Sequence, residues 1–112
     1  MKLVVAVIRP HAVEAVTEAL HAIDIAGITI LEARGHGRQR GHTEVYRGGE
    51  YNVDFLPKTE IQVLSTDGDA DKVANTIVTA ASSGKIGDGK LWILPVDTAI
   101  RLRTGEVGDD AI

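Results

Sequence analysis

Three segments of this 112-residue chain carry clustered cationic side chains, two of them among glycines. That combination suits anions, because glycine lets backbone N–H groups approach an oxyanion and Lys or Arg supplies the countercharge. The first runs from Gly35 to Tyr51 and carries Arg38, Gln39 and Arg40 among Gly35, Gly37 and Gly41. It is polar, nearly free of apolar residues and set between two strand-like stretches, so it reads as a long structureless connection, the kind that usually binds something. Its tyrosines, Tyr46 and Tyr51, have little core to bury them and are expected to be exposed, open to a partner or a modifying enzyme. The second segment is Gly84-Lys85-Ile86-Gly87-Asp88-Gly89-Lys90, and the third is Arg101-Leu102-Arg103.

Each segment also has a plainer explanation. Gly84, Gly89 and Lys90 satisfy most of the phosphate-loop spacing, but Leu91 stands where that motif needs Ser or Thr for a magnesium ion. The order is reversed as well, with a helical pattern before the loop and a strand after it. A P-loop NTPase is therefore excluded, and a glycine turn with a solvated lysine remains open beside phosphate binding. On an extended segment Arg101 and Arg103 would point the same way as an anion fork, or line an ordinary solvated edge strand. Lys58, after Pro57, is a possible carboxylate partner or a surface lysine. His11, His21, His36 and His42 show no metal-ligand spacing, and Ser82 and Ser83 lack a His–Asp set. Three anion-friendly segments without a catalytic constellation favour a ligand-binding module over an enzyme.

The composition narrows the class further. Hydrophobic residues make up 44% and aromatics only 4%, so the core must be aliphatic. A net charge of −4 argues against nucleic acid as the main partner and leaves the local arginine clusters for small anions. No cysteine is present, which fits a reducing cytoplasm. The apolar run Leu3–Ile8 is too short for a membrane span, so a cytoplasmic protein without direct membrane insertion is expected.

Positioning these segments requires a regular scaffold. Leu3–Ile8 reads as a strand buried on both faces, ended by Arg9-Pro10. Residues 11–25 place Val13, Val16, Leu20 and Ile23 on one helical stripe, with Gly27 as the expected C-cap. Residues 28–33 and 59–64 read as strands, Asp67-Gly68-Asp69 offers N-caps to a helix buried along Val73, Ile77 and Ala81, and residues 91–94 form a last strand. The order β-α-β, loop, β-α-β predicts an α+β, ferredoxin-like fold in a single domain spanning 1–112, with a loop at about 37–55 and a glycine-rich loop at about 82–90. Both helices then cover one face of an antiparallel sheet. The other face, apolar in the first and last strands, needs burial by self-association.

With these residues in view, the whole chain closely resembles the PII nitrogen-regulatory signal-transduction proteins. The strongest matches are Gly37–Glu44, Tyr46–Tyr51, Val53–Lys58, Gly84–Lys90 and Arg101–Glu106. The resemblance implies a homotrimer with three clefts in which ATP and ADP compete. Gly87, Asp88, Gly89 and Lys90 would hold the phosphates, with Arg101 and Arg103 reaching in from the neighbouring subunit. Thr29, Gln62, Val63 and Leu64 would line the adenosine, and Gly37, Arg38 and Gln39 would close the loop base. It further implies 2-oxoglutarate beside Mg2+-ATP, met by Gln39 as a magnesium ligand, by Arg40 and Gly41 in the loop, by Lys58 and with help from Arg9. Tyr51 matches the family's nucleotidylylated tyrosine. Implied partners are an ammonium channel, nitrogen-metabolism enzymes or regulators, and the nucleotidyltransferase that modifies Tyr51.

Several residues depart from the family pattern. Gly49 replaces a small Ala or Ser, His11 replaces an aromatic, and Gln62 stands where an acidic residue is common. None removes an implied phosphate or effector contact. Three rivals remain: an adenylate-only sensor, a slow ATPase on the same trimer, and a structural trimer like the copper-tolerance relatives, which lack the Tyr51 loop and both anion segments.

Overall fold

The computed structural model describes residues 1–25, 27–36 and 55–112, together with the backbone of the strand residues 43–46 and 49–52. Its elements run β1 (Lys2–Ile8), a 3-10 turn (Pro10–Ala12), α1 (Val13–Ala22), β2 (Thr29–Gly35), β3 (Thr43–Tyr46), β4 (Gly49–Asn52), β5 (Leu56–Ser65), α2 (Ala70–Ala81), β6 (Gly89–Pro95) and a second 3-10 turn (Gly108–Ala111). Strands β2-β5-β1-β6 form one sheet in that order, with every neighbouring pair antiparallel. This is the ferredoxin-like α+β arrangement that the doubled β-α-β pattern predicted.

The alternation of side chains across β1 explains how the layers form. Val4, Ala6 and Ile8 join Val16 and Leu20 of α1, Val73 and Ile77 of α2, and Ile61 and Val63 of β5 in one core. Their strand neighbours Leu3, Val5 and Val7 point the opposite way, into a face shared with Trp92 and Leu94 of β6 and Leu64 of β5. Leu31, Trp92 and Leu94 are each more than two-fifths exposed there. A sheet face this apolar gains free energy by being covered.

The helix ends differ from the sequence expectation. α1 stops at Ala22, and the left-handed residue after it is Asp24 (φ 65°), not Gly27. The N–H of Ile25 donates to Leu20 O at 3.0 Å and that of Asp24 to His21 O at 3.0 Å, a Schellman closure in which Ile25 packs back on the core. Hydrophobic closure by Ile25 outweighs the modest cost of an aspartate at positive φ. At the start of α2 neither Asp67 nor Asp69 caps through its side chain, and Thr66 Oγ1 instead accepts the Asp69 N–H at 3.2 Å. Asp67 meets the N-terminal ammonium group at 2.9 Å, which takes it away from the helix.

Within the long connection, the described residues include short paired strands. β2 continues to Gly35, and β3 pairs with β4 as a separate hairpin in which Glu44 opposes Tyr51 and Tyr46 opposes Gly49. Strand β5 likewise starts at Leu56, so Lys58 sits inside the sheet opposite Ala33, not at the strand's edge. Backbone pairing carries strands into the polar, glycine-rich stretch at β2 and β3–β4, and starts β5 ahead of Lys58.

The start of β6 runs very close to the backbone of β1. Gly89 has φ +109°, and a Cβ placed on it would come 1.8 Å from the Val7 carbonyl oxygen. Gly89→Ala is therefore expected to destabilise the protein by about 3 kcal/mol, from steric overlap with backbone and from the left-handed conformation together. A chemical-denaturation midpoint indistinguishable from wild type would contradict this.

Candidate functional site

The register of the sheet brings one end of three strands to the glycine-rich loop. Arg9 leaves β1 directly after Ile8, Lys58 lies on β5, and the loop from Ser82 to Asp88 runs from α2 into β6. Lys58 Nζ donates to the Gly87 carbonyl oxygen at 3.0 Å. The Arg9 guanidinium donates to the Ile86 carbonyl oxygen and lies 3.9 Å from Asp88 Oδ1. Gly35 makes room for this, since a Cβ on it would come 3.1 Å from Lys58 Cγ. Gly87 does the same for Arg9, because its φ is +103° and a Cβ would meet a guanidinium nitrogen at 2.7 Å.

Asp88 shapes the loop. One carboxylate oxygen accepts the N–H groups of Ser83 and Gly84 at 2.7 and 2.9 Å, and the other accepts the Ser83 hydroxyl at 2.5 Å. The Ser83 hydroxyl and N–H, then the Gly84 N–H and Arg9, hold its carboxyl below the ordinary value of 3.8. An anion so placed repels phosphate, so the side chain of Asp88 serves as a tie within the loop. Any phosphate contact here falls to backbone N–H groups. Lys58 shifts in the opposite sense of charge: partial burial first, and then Arg9, push its ammonium below the ordinary 10.5, while Asp88 opposes them. Two cations and a carboxylate thus crowd one edge, and each cation rests on a neutral carbonyl oxygen. A carboxylate or phosphate would be the stronger acceptor for either.

The remaining sequence-predicted residues fall into distinct places. Thr29 and Gln62 are cross-strand partners on the open sheet face, and Leu64 lies two residues further along that face. Val63 is fully buried on the helix side, so only its backbone reaches the Thr29–Gln62 surface. Lys90 and Gly89 are exposed at the start of β6. Arg101 and Arg103 do not form the extended fork. Residues 102–104 make a turn, with the Gly105 N–H donating to Arg101 O at 2.7 Å and the Arg101 N–H to Glu106 O at 2.9 Å. The glycine at 105 (φ +76°) closes that turn, which composition alone did not signal. Within the turn Arg101 is held by Glu106 Oε1 and the Ile112 carbonyl oxygen, both at 3.0 Å. Among the described residues neither arginine bonds to the 82–90 loop. Gly37, Arg38, Gln39, Arg40 and Gly41 lie outside the described residues, as does the Tyr51 side chain.

Ser83, Glu60 and Glu106 were missed as contributors. A serine five residues before an aspartate, across a glycine turn, is the local signal that could have exposed the Ser83–Asp88 tie. The two glutamates act through neighbours on strands or turns whose register is not written locally.

The fold and this edge define a small α+β binding module with a cation-lined glycine loop, and no group of His, Cys, Asp or Glu able to hold a metal occurs among the described residues. Comparison with known proteins gives the family. The family model for nitrogen regulatory protein P-II matches residues 1–106. The chain is 52% identical to the nitrogen regulatory protein P-II of Azospirillum brasilense, 51% to that of Rhodospirillum rubrum and 50% to that of Klebsiella oxytoca, each over 112 residues and the full length of both sequences. The chain belongs to the P-II family of nitrogen regulatory proteins, and its role is nitrogen signal transduction.

The Asp88 tie has a pH signature. Its folded-state pKa lies below the unfolded one, so its stabilising contribution is complete above the unfolded value and disappears as pH falls through the folded value. Asp88→Asn is expected to be less stable than wild type at neutral pH and to lose less further stability below about pH 4. Denaturation midpoints measured across that range check this, and parallel curves for the two proteins would contradict it.

Proposed function

We propose that this protein senses ATP, ADP and 2-oxoglutarate in clefts between the subunits of a homotrimer, and regulates nitrogen assimilation through the 37–55 loop. The observation that carries the reading is the meeting of Lys58 and Arg9 with the Gly87–Asp88 segment. A dicarboxylate and a triphosphate repel each other unless cations stand between or beside them. Lys58 and Arg9 are such cations, and the loop they touch is the one proposed to hold the phosphates through the backbone of Gly87 and Gly89 and through Lys90. A magnesium ion bridging the two anions would rely on Gln39. Arg101 and Arg103 would serve the cleft of a neighbouring subunit, and among the described residues neither bonds to this chain's own 82–90 loop.

The open face bearing Leu31, Trp92 and Leu94 supports self-association. Three copies burying that face against one another would bring adjacent subunits' loops together at their edges. Partner proteins, an ammonium channel and nitrogen-metabolism enzymes or regulators among them, would read the 37–55 loop in the cytoplasm. No helix among the described residues is long and apolar enough to cross a membrane, so recruitment to one would go through such a channel. Tyr51, on β4 opposite Glu44, is the proposed site of nucleotidylylation. A Tyr51→Phe variant should gain no mass on incubation with the cognate nucleotidyltransferase, where wild type gains one nucleotidyl group.

Calorimetric titration of 2-oxoglutarate, with and without Mg2+-ATP, tests the central reading. Binding is expected only with Mg2+-ATP present, and Lys58→Gln should weaken it by at least about tenfold, the loss for removing a charge-assisted hydrogen bond. ATP binding without any 2-oxoglutarate binding would leave an adenylate sensor and remove Lys58 from an effector role.

A further inference from the structure

Two features of the chain go unmatched within a single copy. Leu102, between Arg101 and Arg103, is 98% exposed in the turn that Gly105 closes. A lone exposed leucine is ordinary, but this one is rigidly mounted. Ile100 and Val107 pair as an antiparallel bridge beneath it, and Arg101 is tied to Glu106. The second feature is a cavity of about 150 Å3 between the end of α2 and the start of β6, lined by Ile8, Ile77, Val78, Ala81 and Leu91. Val78 is 52% exposed there, so this apolar wall stands open. An apolar cavity of such a size admits a benzene-sized group, and a leucine side chain is smaller. Leu102 does not fill it in its own copy. The tail that carries Leu102 leaves β6 beside Met1, whose carbonyl oxygen accepts the Val96 N–H, whereas the cavity lies at the opposite, Ile8–Gly89 end of the same strand pair.

We propose that Leu102 of one copy enters this cavity in a second copy and docks the 100–107 turn against that copy's glycine-rich loop. The proposal rests on the reading in which Arg101 and Arg103 serve a neighbouring subunit, and it supplies the contact that carries them there. Asp88, Gly89 and Lys90 line the cavity beside its apolar wall. A leucine seated in it therefore sets its two flanking guanidiniums next to the loop, where the Asp88 carboxylate complements their charge. A second copy is the fitting occupant because one chain carries both the leucine and the cavity, and its open sheet face already favours self-association. The two surfaces differ, so the contact is head-to-tail and repeats from copy to copy until a ring closes. A turn ordered beforehand also loses little freedom on docking. Leu102 is thus a positioning residue: it touches protein, while its neighbours face the anion.

The chain has no cysteine, so paired cysteines read the contact directly. The double variant Leu102→Cys/Val78→Cys, oxidised mildly and run on a non-reducing gel, should form a covalent ring of copies, while each single variant stays monomeric on the gel. A Leu102→Cys/Leu94→Cys variant that crosslinks in its place would put the leucine on the neighbour's open sheet face and overturn the proposal. Absence of the 102–78 crosslink in a protein that light scattering shows to be assembled overturns it too, and spares the proposed trimer. A monomer by light scattering overturns both. Calorimetric titration of ATP supplies the functional readout. Leu102→Ala should weaken ATP by roughly tenfold through loss of the apolar anchor, and Leu102→Met, which keeps the volume, should stay within about twofold of wild type. Equal ATP affinity in Leu102→Ala and wild type would overturn the positioning role. Failure of wild type to bind ATP would remove the nucleotide reading, and the crosslink would still decide the docking.

Discussion

The Asp88 carboxylate organises this site. By accepting two consecutive backbone N–H groups and a hydroxyl, it pins the start of the glycine loop to its end. The chain between them must bulge outward, and it turns the carbonyl oxygens of Ile86 and Gly87 towards Arg9 and Lys58. One cation directly follows β1 and the other lies on β5, strands whose relative register is fixed by seven paired positions. One hydrogen-bond cluster at the sheet's exposed edge therefore connects a local turn to the sheet as a whole. Such bonds from backbone N–H to an ionised carboxylate are among the stronger ones available to an exposed loop.

That arrangement gives the two cations a holding position. Each rests on a neutral carbonyl, a partner good enough to order the side chain and weak enough to yield to an anion. An incoming carboxylate would not need to organise Lys58, only to displace Gly87 O. Under the proposed reading, displacement would free a carbonyl of the loop that meets phosphate, and events at one anion position would be felt at the other. Coupling of this kind needs no long path, because the shared element is a single peptide segment.

The apolar sheet face adds a second constraint. Helices α1 and α2 pack on one side of the sheet, as the topology requires, and Leu3, Val5, Val7, Trp92 and Leu94 are left on the other. Val5 is nearly buried by its strand neighbours alone, whereas Trp92 and Leu94 remain open. The polar residues Thr29, Gln62, Glu60 and Lys58 follow one another along the β2–β5 side of that face. An apolar half suited to subunit packing thus runs beside a polar half suited to a ligand, which is how a cleft at a subunit boundary would be built.

Much of this was legible without coordinates. The switch from continuous apolar runs to a 3.6-residue stripe identified α1, α2 and the four sheet strands, because burial on one or two faces writes itself directly into residue order. The glycine-rich segments and their cations were equally visible, and so was the family. Other features were hidden for physical reasons. The Schellman closure at Asp24 depends on Ile25 finding Leu20, and the β3–β4 hairpin on backbone pairing that polar composition conceals. The turn at 101–105 replaced an expected extended fork. Above all, the sequence named Asp88 as a loop residue without revealing which way its charge faces, and it listed Arg9, Lys58, Glu60 and Gln62 without their partners. Composition and period determine which faces are buried, since that choice is made residue by residue. Who meets whom at the site was decided only by tertiary structure, because strand register and a turn's hydrogen bonds bring together groups as far apart in the sequence as Arg9 and Asp88.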